Sequence, residues 1–79
     1  MSNYRIDLTK LRDLITRHFN QTELRNLCFD LHIDHEALPA ETQPDLAREV
    51  VAFCWRHGRL DDLHRRCQQL RPKANWDVT

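Results

Sequence analysis

The side chains best equipped for chemistry in this 79-residue chain are five histidines and three cysteines. Three pairs of them stand three residues apart: His32 with His35, Cys54 with His57, and His64 with Cys67. On a helix that spacing turns both side chains to one face, and two such pairs brought together would make a tetrahedral zinc site. Against this, no two cysteines stand at knuckle spacing, and the interval from His32 to His35 crosses an expected helix end. The reading that fits better has cysteines filling apolar positions and histidines lining the rim, with no metal ligand and no cofactor. A cysteine nucleophile would need an exposed thiol of lowered pKa beside a histidine. Here Cys28, Cys54 and Cys67 each fall on the apolar stripe of an expected helix. No glycine-rich elbow is present, and a chain this short leaves little room for a cleft. Asp61 and Asp62 are sequence neighbours, about 100° apart on a helix, so they suit a helix start better than acid–base work. No catalytic residue is assigned, and no enzymatic activity is expected.

Helical elements account for these positions. Leu8, Leu11, Ile15 and Phe19 form one stripe of a helix over about Leu8–Phe19, capped by Asp7, with Ile6 and Leu11 at staple spacing. Asn20 and Glu23 have the order of a capping box for a second helix over about Gln21–His32, whose stripe is Leu24, Leu27, Cys28 and Leu31. A short helical turn capped by Asp34 follows, with Leu38 inward, and Pro39 ends it. The next helix, about Pro44–His57, is capped by Thr42 or Gln43, with Pro44 in its first turn. It carries Leu46, Ala47, Val50, Val51, Phe53 and Cys54 over nearly half its circumference, the mark of a central helix. Gly58 suits a left-handed stop. A last helix over about Asp61–Leu70 turns Leu60, Leu63, Cys67 and Leu70 inward and stops at Pro72. The segment after it has no periodicity and reads as a linker or a docking arm.

Composition agrees with a single folded unit: 41% hydrophobic and 30% charged residues exclude a disordered chain. One glycine and three prolines leave few tight turns, which favours helices over hairpins. No apolar run is long enough to span a bilayer and no signal-peptide pattern is present, so no membrane partner is expected. The odd number of cysteines at apolar positions reads as reduced thiols in a cytoplasmic protein. Twelve basic and twelve acidic residues cancel, so the chain lacks the overall positive charge of a nucleic-acid binder.

The charges are nevertheless segregated. Residues 30–45 hold Asp30, Asp34, Glu36, Glu41 and Asp45 and no lysine or arginine. Residues 56–73 hold Arg56, Arg59, Arg65, Arg66, Arg71 and Lys73 against Asp61 and Asp62. The plain alternative is two solvated faces. The functional reading is an acidic patch on one copy meeting a basic patch on another, a head-to-tail contact that propagates into rings or filaments. Ten of the twelve basic residues are arginine, which suits forked contacts to carboxylates. Trp55, at the edge of its stripe, is a candidate aromatic anchor.

The order L-x3-I-x3-F, then N-x2-EL-x2-LCFDL-x-ID, an apolar helix, RHGRL-x2-L and a closing RP resembles the bacterial effector-associated domains of the death-like superfamily. The matching residues run from about 8 to 72, and ELRNLCFDL and RHGRL are the most diagnostic. The resemblance implies an all-α, compact death-like bundle of five or six short helices over residues 1–72, with 73–79 a tail or the start of a linker. It implies a non-enzymatic adaptor in a bacterial conflict, defence or signalling system. The adaptor would recruit an effector, either a peptidase or a nucleotide-hydrolysing switch, through homotypic contacts. Its partners would be effector proteins and other death-like domains, self or related, with a homo-oligomer among the outcomes. The chain carries no effector of its own and reads as a free-standing adaptor or the N-terminal domain of a longer protein. The alternative is a small helix-turn-helix DNA-binding domain built around Gly58, with Arg59, Arg65, Arg66 and Arg71 nearby. Asp61 and Asp62 would then face the phosphates at the start of the recognition helix, which counts against it.

Overall fold

Each of the first three helices begins at a side chain that answers its unpaired amides. In the computed structural model, which describes residues 6–78, helix α1 spans Leu8–His18. Asp7 caps it by accepting from the amides of Thr9 and Lys10 at 3.0 and 3.1 Å. Helix α2 spans Gln21–Asp30 and opens with a complete capping box. Asn20 accepts from the Glu23 amide at 2.8 Å, and Glu23 accepts from the Asn20 amide at 2.9 Å. Helix α3, Gln43–Arg56, is capped by Thr42 and carries Pro44 in its first turn. Helix α4, Leu60–Leu70, has no side-chain cap. Asp61 and Asp62 in its first turn answer the positive end of its dipole instead.

In place of the expected five or six helices, the described residues form four α-helices and one 3-10 turn, His35–Ala37. Among the described residues there is no strand. The 3-10 turn stays short for a local reason. Asp34 caps it by accepting from the Glu36 amide at 3.0 Å, Leu38 alone is buried beneath it, and Pro39 stops it. The second helix also ends two residues before the expected His32. His32 has φ 60°, and Gly58 after α3 has φ 66°. Both helices close with the same Schellman pattern. The Ile33 amide donates to the Cys28 carbonyl at 2.8 Å and the His32 amide to Phe29 at 3.0 Å; Arg59 donates to Cys54 at 2.7 Å and Gly58 to Trp55 at 3.4 Å.

Helix α3 occupies the centre and packs against α1, α2 and α4. Its Leu46, Ala47, Val50, Val51 and Cys54 meet Leu11 and Ile15 of α1, Leu24, Leu27 and Cys28 of α2, and Leu60, Leu63 and Cys67 of α4 in one core. Three residues expected inward lie further out, among them Leu8, half-buried at the start of α1. Leu70, in the last turn of α4, is 38% exposed because it lies past the covered part of the stripe. Phe53 is half-buried and lies against the His57 ring.

The segment expected to be a tail over 73–79 packs onto the bundle as far as it is described. Trp76 and Val78 are buried. The Trp76 ring lies 5.6 Å from His18 and 6.1 Å from Phe19, and its Nε1 donates to the Arg71 carbonyl at 2.9 Å. The Trp76 carbonyl accepts from His64 Nε2 at 2.6 Å, and the Val78 carbonyl accepts from the Asp7 amide at 2.6 Å. Residues 1–5 of the expected domain and Thr79 of the expected tail lie outside the described residues.

Arg71 joins this segment to the corner between α1 and α2. Its Nε donates to the His18 carbonyl at 3.1 Å, its Nη2 meets Glu23 Oε2 at 2.5 Å, and its guanidinium lies 4.6 Å over the Phe19 ring. Gln43 answers the same corner from α3, donating to the carbonyls of Thr16 and Phe19 at 2.8 and 2.6 Å.

Three substitutions test the turns and the closing segment. His32→Gly should raise stability and Gly58→Ala should lower it, each by about 1 kcal/mol, read from urea midpoints. A Cβ at position 58 would meet nothing within 4 Å, so that cost comes from the left-handed backbone alone. Trp76→Ala should cost about 3 kcal/mol. A loss within about 0.5 kcal/mol, the ordinary figure for a surface site, would contradict the packing described.

Candidate functional site

The thiols are placed where they cannot act as nucleophiles. Cys28, Cys54 and Cys67 are all free and fully buried. Burial pushes Cys28 up to about 11, and Cys54 and Cys67 up to about 12, from an ordinary 9.0. At neutral pH they are protonated core residues. The spaced pairs also divide between inside and outside. Cys54 is buried while His57 is exposed beside Phe53, and Cys67 is buried while His64 holds the Trp76 carbonyl. His32 is exposed at its left-handed turn. Among the described residues no group of three or more histidine, cysteine or acidic side chains is arranged to hold a metal ion.

The charged side chains separate into two kinds. Asp30, Asp34, Glu36 and Glu41 are exposed, running from the last turn of α2 through the 3-10 turn to the loop before α3. None of the four forms an ion pair among the described residues. Asp45 stands apart from them, half-buried and 3.9 Å from Arg48.

The five arginines of the basic segment do not share one situation. Arg71 is committed to the corner described above. Glu23 faces it with a carboxyl held below the usual range, first by its bond from the Asn20 amide and then by the Arg71 guanidinium. Arg59 donates through Nη2 to the Leu31 carbonyl at 2.5 Å and approaches Asp62 at 3.7 Å, pinning the end of α2 to the start of α4. Arg65 is exposed, with only a 3.7 Å approach to Asp62. Arg56 is exposed and Arg66 half-buried, and neither forms an ion pair among the described residues. Arg65, Arg66 and Asp62 line a shallow groove with Leu31 and Gln69. Leu31 directly follows Asp30, so the acidic strip and the arginines of α4 adjoin at the end of α2.

Trp55, the aromatic anchor suggested by the sequence, is 52% exposed beside Arg56. Phe29 is more exposed still, at 79%, and directly precedes Asp30. Sequence reasoning passed over it, although the signal was there. Phe29 lies some 140–150° around α2 from the stripe of Leu24, Leu27, Cys28 and Leu31, so burial within its own chain never explained it.

Such a molecule is a small helical domain with its thiols in the core and, among the described residues, charges that form no ion pair and exposed aromatic side chains outside. Residues 11–72 match the family model described as effector-associated domain 7, and the chain belongs to that family. The resemblance to the effector-associated domains therefore holds. By that membership it is a domain associated with effectors. Searches of curated proteins and of solved structures return no significant match. Among the described residues no helix is long and apolar enough to cross a membrane.

The burial of the thiols has a measurable consequence. At mildly alkaline pH the native protein should react with a thiol-specific disulfide reagent only as fast as the fold opens, whereas denatured protein reacts at once. The sign of the pH effect follows from the raised values. Above the ordinary 9.0 the unfolded thiols lose protons that the native thiols keep, so stability falls as pH rises through that value. Urea midpoints measured from neutral to alkaline pH check this, and thiols that react rapidly in the native state would refute the placement.

Proposed function

We propose that this domain is a non-enzymatic adaptor of death-like type that recruits an effector by docking its acidic strip against the arginine surface of a domain of the same kind. One observation carries the reading. Asp30, Asp34, Glu36 and Glu41 on one side, and Arg56 and Arg66 on the other, are charges that the fold uses for no ion pair of its own among the described residues. A partner bearing the opposite strip would satisfy both. Arg65, whose contact to Asp62 is long and exposed, can join them at little cost. Arg59 and Arg71 hold the scaffold in place under this surface.

The function follows from the family as much as from the charges. A domain associated with effectors, with its polar chemistry confined to the exterior, acts by bringing proteins together. The effector is a peptidase or a nucleotide-hydrolysing switch, and the setting is a bacterial defence or signalling system in the cytoplasm. Contacts of this kind orient partners and speed encounter, and they weaken with salt. Docking a strip on one face against a different face of the next copy is head-to-tail, so assembly can continue beyond two copies.

Charge reversal tests the reading. Glu36→Arg and Arg65→Glu should each weaken binding between two differently labelled copies of the chain by about tenfold, or about 1.4 kcal/mol. Mixing the two variants should recover most of that loss. Binding unchanged in both variants would remove the charged strips from the interface.

A further inference from the structure

Phe29 and a groove beside α4 are two apolar features that the fold does not use. Phe29 is 79% exposed in the last turn of α2, on the side of the helix away from the core. The groove, about 400 Å³ in volume, is lined mainly by apolar surface of Leu70, Pro72 and Ala74, with His18 and Lys73 at its sides. Arg71 lines it too, but its guanidinium is already held by His18, Leu70 and Glu23.

We infer that Phe29 of one copy seats in the Leu70–Ala74 groove of a second copy, giving the head-to-tail contact an apolar centre. The inference rests on the docking reading above and adds its anchor. The two features do not meet within one copy. Glu23 at the start of α2 is the part held by Arg71, while Phe29 lies six residues, or about 9 Å of helix axis, further on. Phe29 does not line the groove of its own chain.

Charge selects a second copy as the occupant. Asp30 follows Phe29 directly, and Asp34 and Glu36 lie beyond it, so the aromatic ring stands at the edge of the acidic strip. The groove lies at the edge of the basic surface. Lys73 flanks it, and Arg66 lies one helical turn before Leu70 on the same face of α4. Seating the ring therefore brings acid to base around it, an aromatic anchor in a pocket with a charged rim. Because knob and groove are different surfaces, each copy keeps one of each free, and the contact does not close on itself.

The asymmetry makes the test sharp. Phe29→Ser removes the knob and leaves the groove; Leu70→Glu spoils the groove and leaves the knob. Both positions are exposed, and circular dichroism checks that each variant keeps its helices. By light scattering at low salt, the mass of the wild-type chain should rise with concentration past that of a dimer. Each variant alone should stay at the 9.5 kDa of one chain. An equal mixture should stop at two chains, since one intact knob meets one intact groove and nothing remains to extend the pair. Wild type that stays monomeric overturns the second copy as occupant. Variants that associate as the wild type does, or a mixture that stays monomeric while the wild type assembles, overturn the pairing of Phe29 with the groove. If Glu36→Arg and Arg65→Glu still weaken association in either of those last cases, the charged strips stand without this anchor.

Discussion

The corner between α1 and α2 is the constraint from which the rest of the arrangement follows. Only Phe19 and Asn20 join the two helices, so α1 ends with carbonyls that no loop can reach back to satisfy. Donors must come from elsewhere in the fold. Gln43, at the first residue of α3, answers Thr16 and Phe19, and Arg71, at the end of α4, answers His18. The beginning of one helix and the end of another are thereby tied to a single short joint. Phe19 itself is buried there, under the Arg71 guanidinium and beside the Trp76 ring. A burial of this kind needs its neighbouring carbonyls paired, because an unpaired polar group in a small apolar core costs about as much as a hydrogen bond contributes.

Around that joint the apolar residues leave little over. A chain of this size folds with a small core and needs almost every large apolar side chain in it. Helix α3 meets the need by facing three helices at once, and the thiols of Cys28, Cys54 and Cys67 serve as small hydrophobes where the helices approach. The closing segment contributes in the same way, with Trp76 buried beside His18 and Phe19 and Val78 buried at the start of α1. Among the described residues, what remains is on the surface: charges that form no ion pair, and the exposed rings of Phe29 and Trp55.

The arginines show how one residue type divides between scaffold and surface. Arg59 and Arg71 both donate to main-chain carbonyls at helix ends, Leu31 and His18, and so complete the hydrogen bonding of the fold. Arg56, Arg65 and Arg66 point their charge outward within the same stretch of sequence. A planar guanidinium with several donors can do either task, and only the position of the nearest unpaired carbonyl separates them. Arg59 and Arg71, fixed within the fold, hold rigid the surface on which Arg56, Arg65 and Arg66 stand.

Periodicity and caps alone established much of this protein. Asp7, Asn20, Glu23, Thr42 and Gly58 announce helix ends through bonds that span four residues or fewer, and the apolar stripes follow from the helical repeat. Such interactions are local, so the order of residues contains them. The chain could not announce Trp76, because a single aromatic in an aperiodic segment is buried only if a distant surface is shaped to receive it. Nor could it announce Gln43 and Arg71 as the partners of α1, since those bonds join residues 24 to 53 positions apart. His32 lay between the two cases, since a left-handed turn is uncommon for any residue other than glycine and a side chain there does not announce it. The sequence places each α-helix to within two residues; which charges the fold holds, which stand outside it, and which apolar surface is left open are decided by distance in space, and only the folded chain sets those distances.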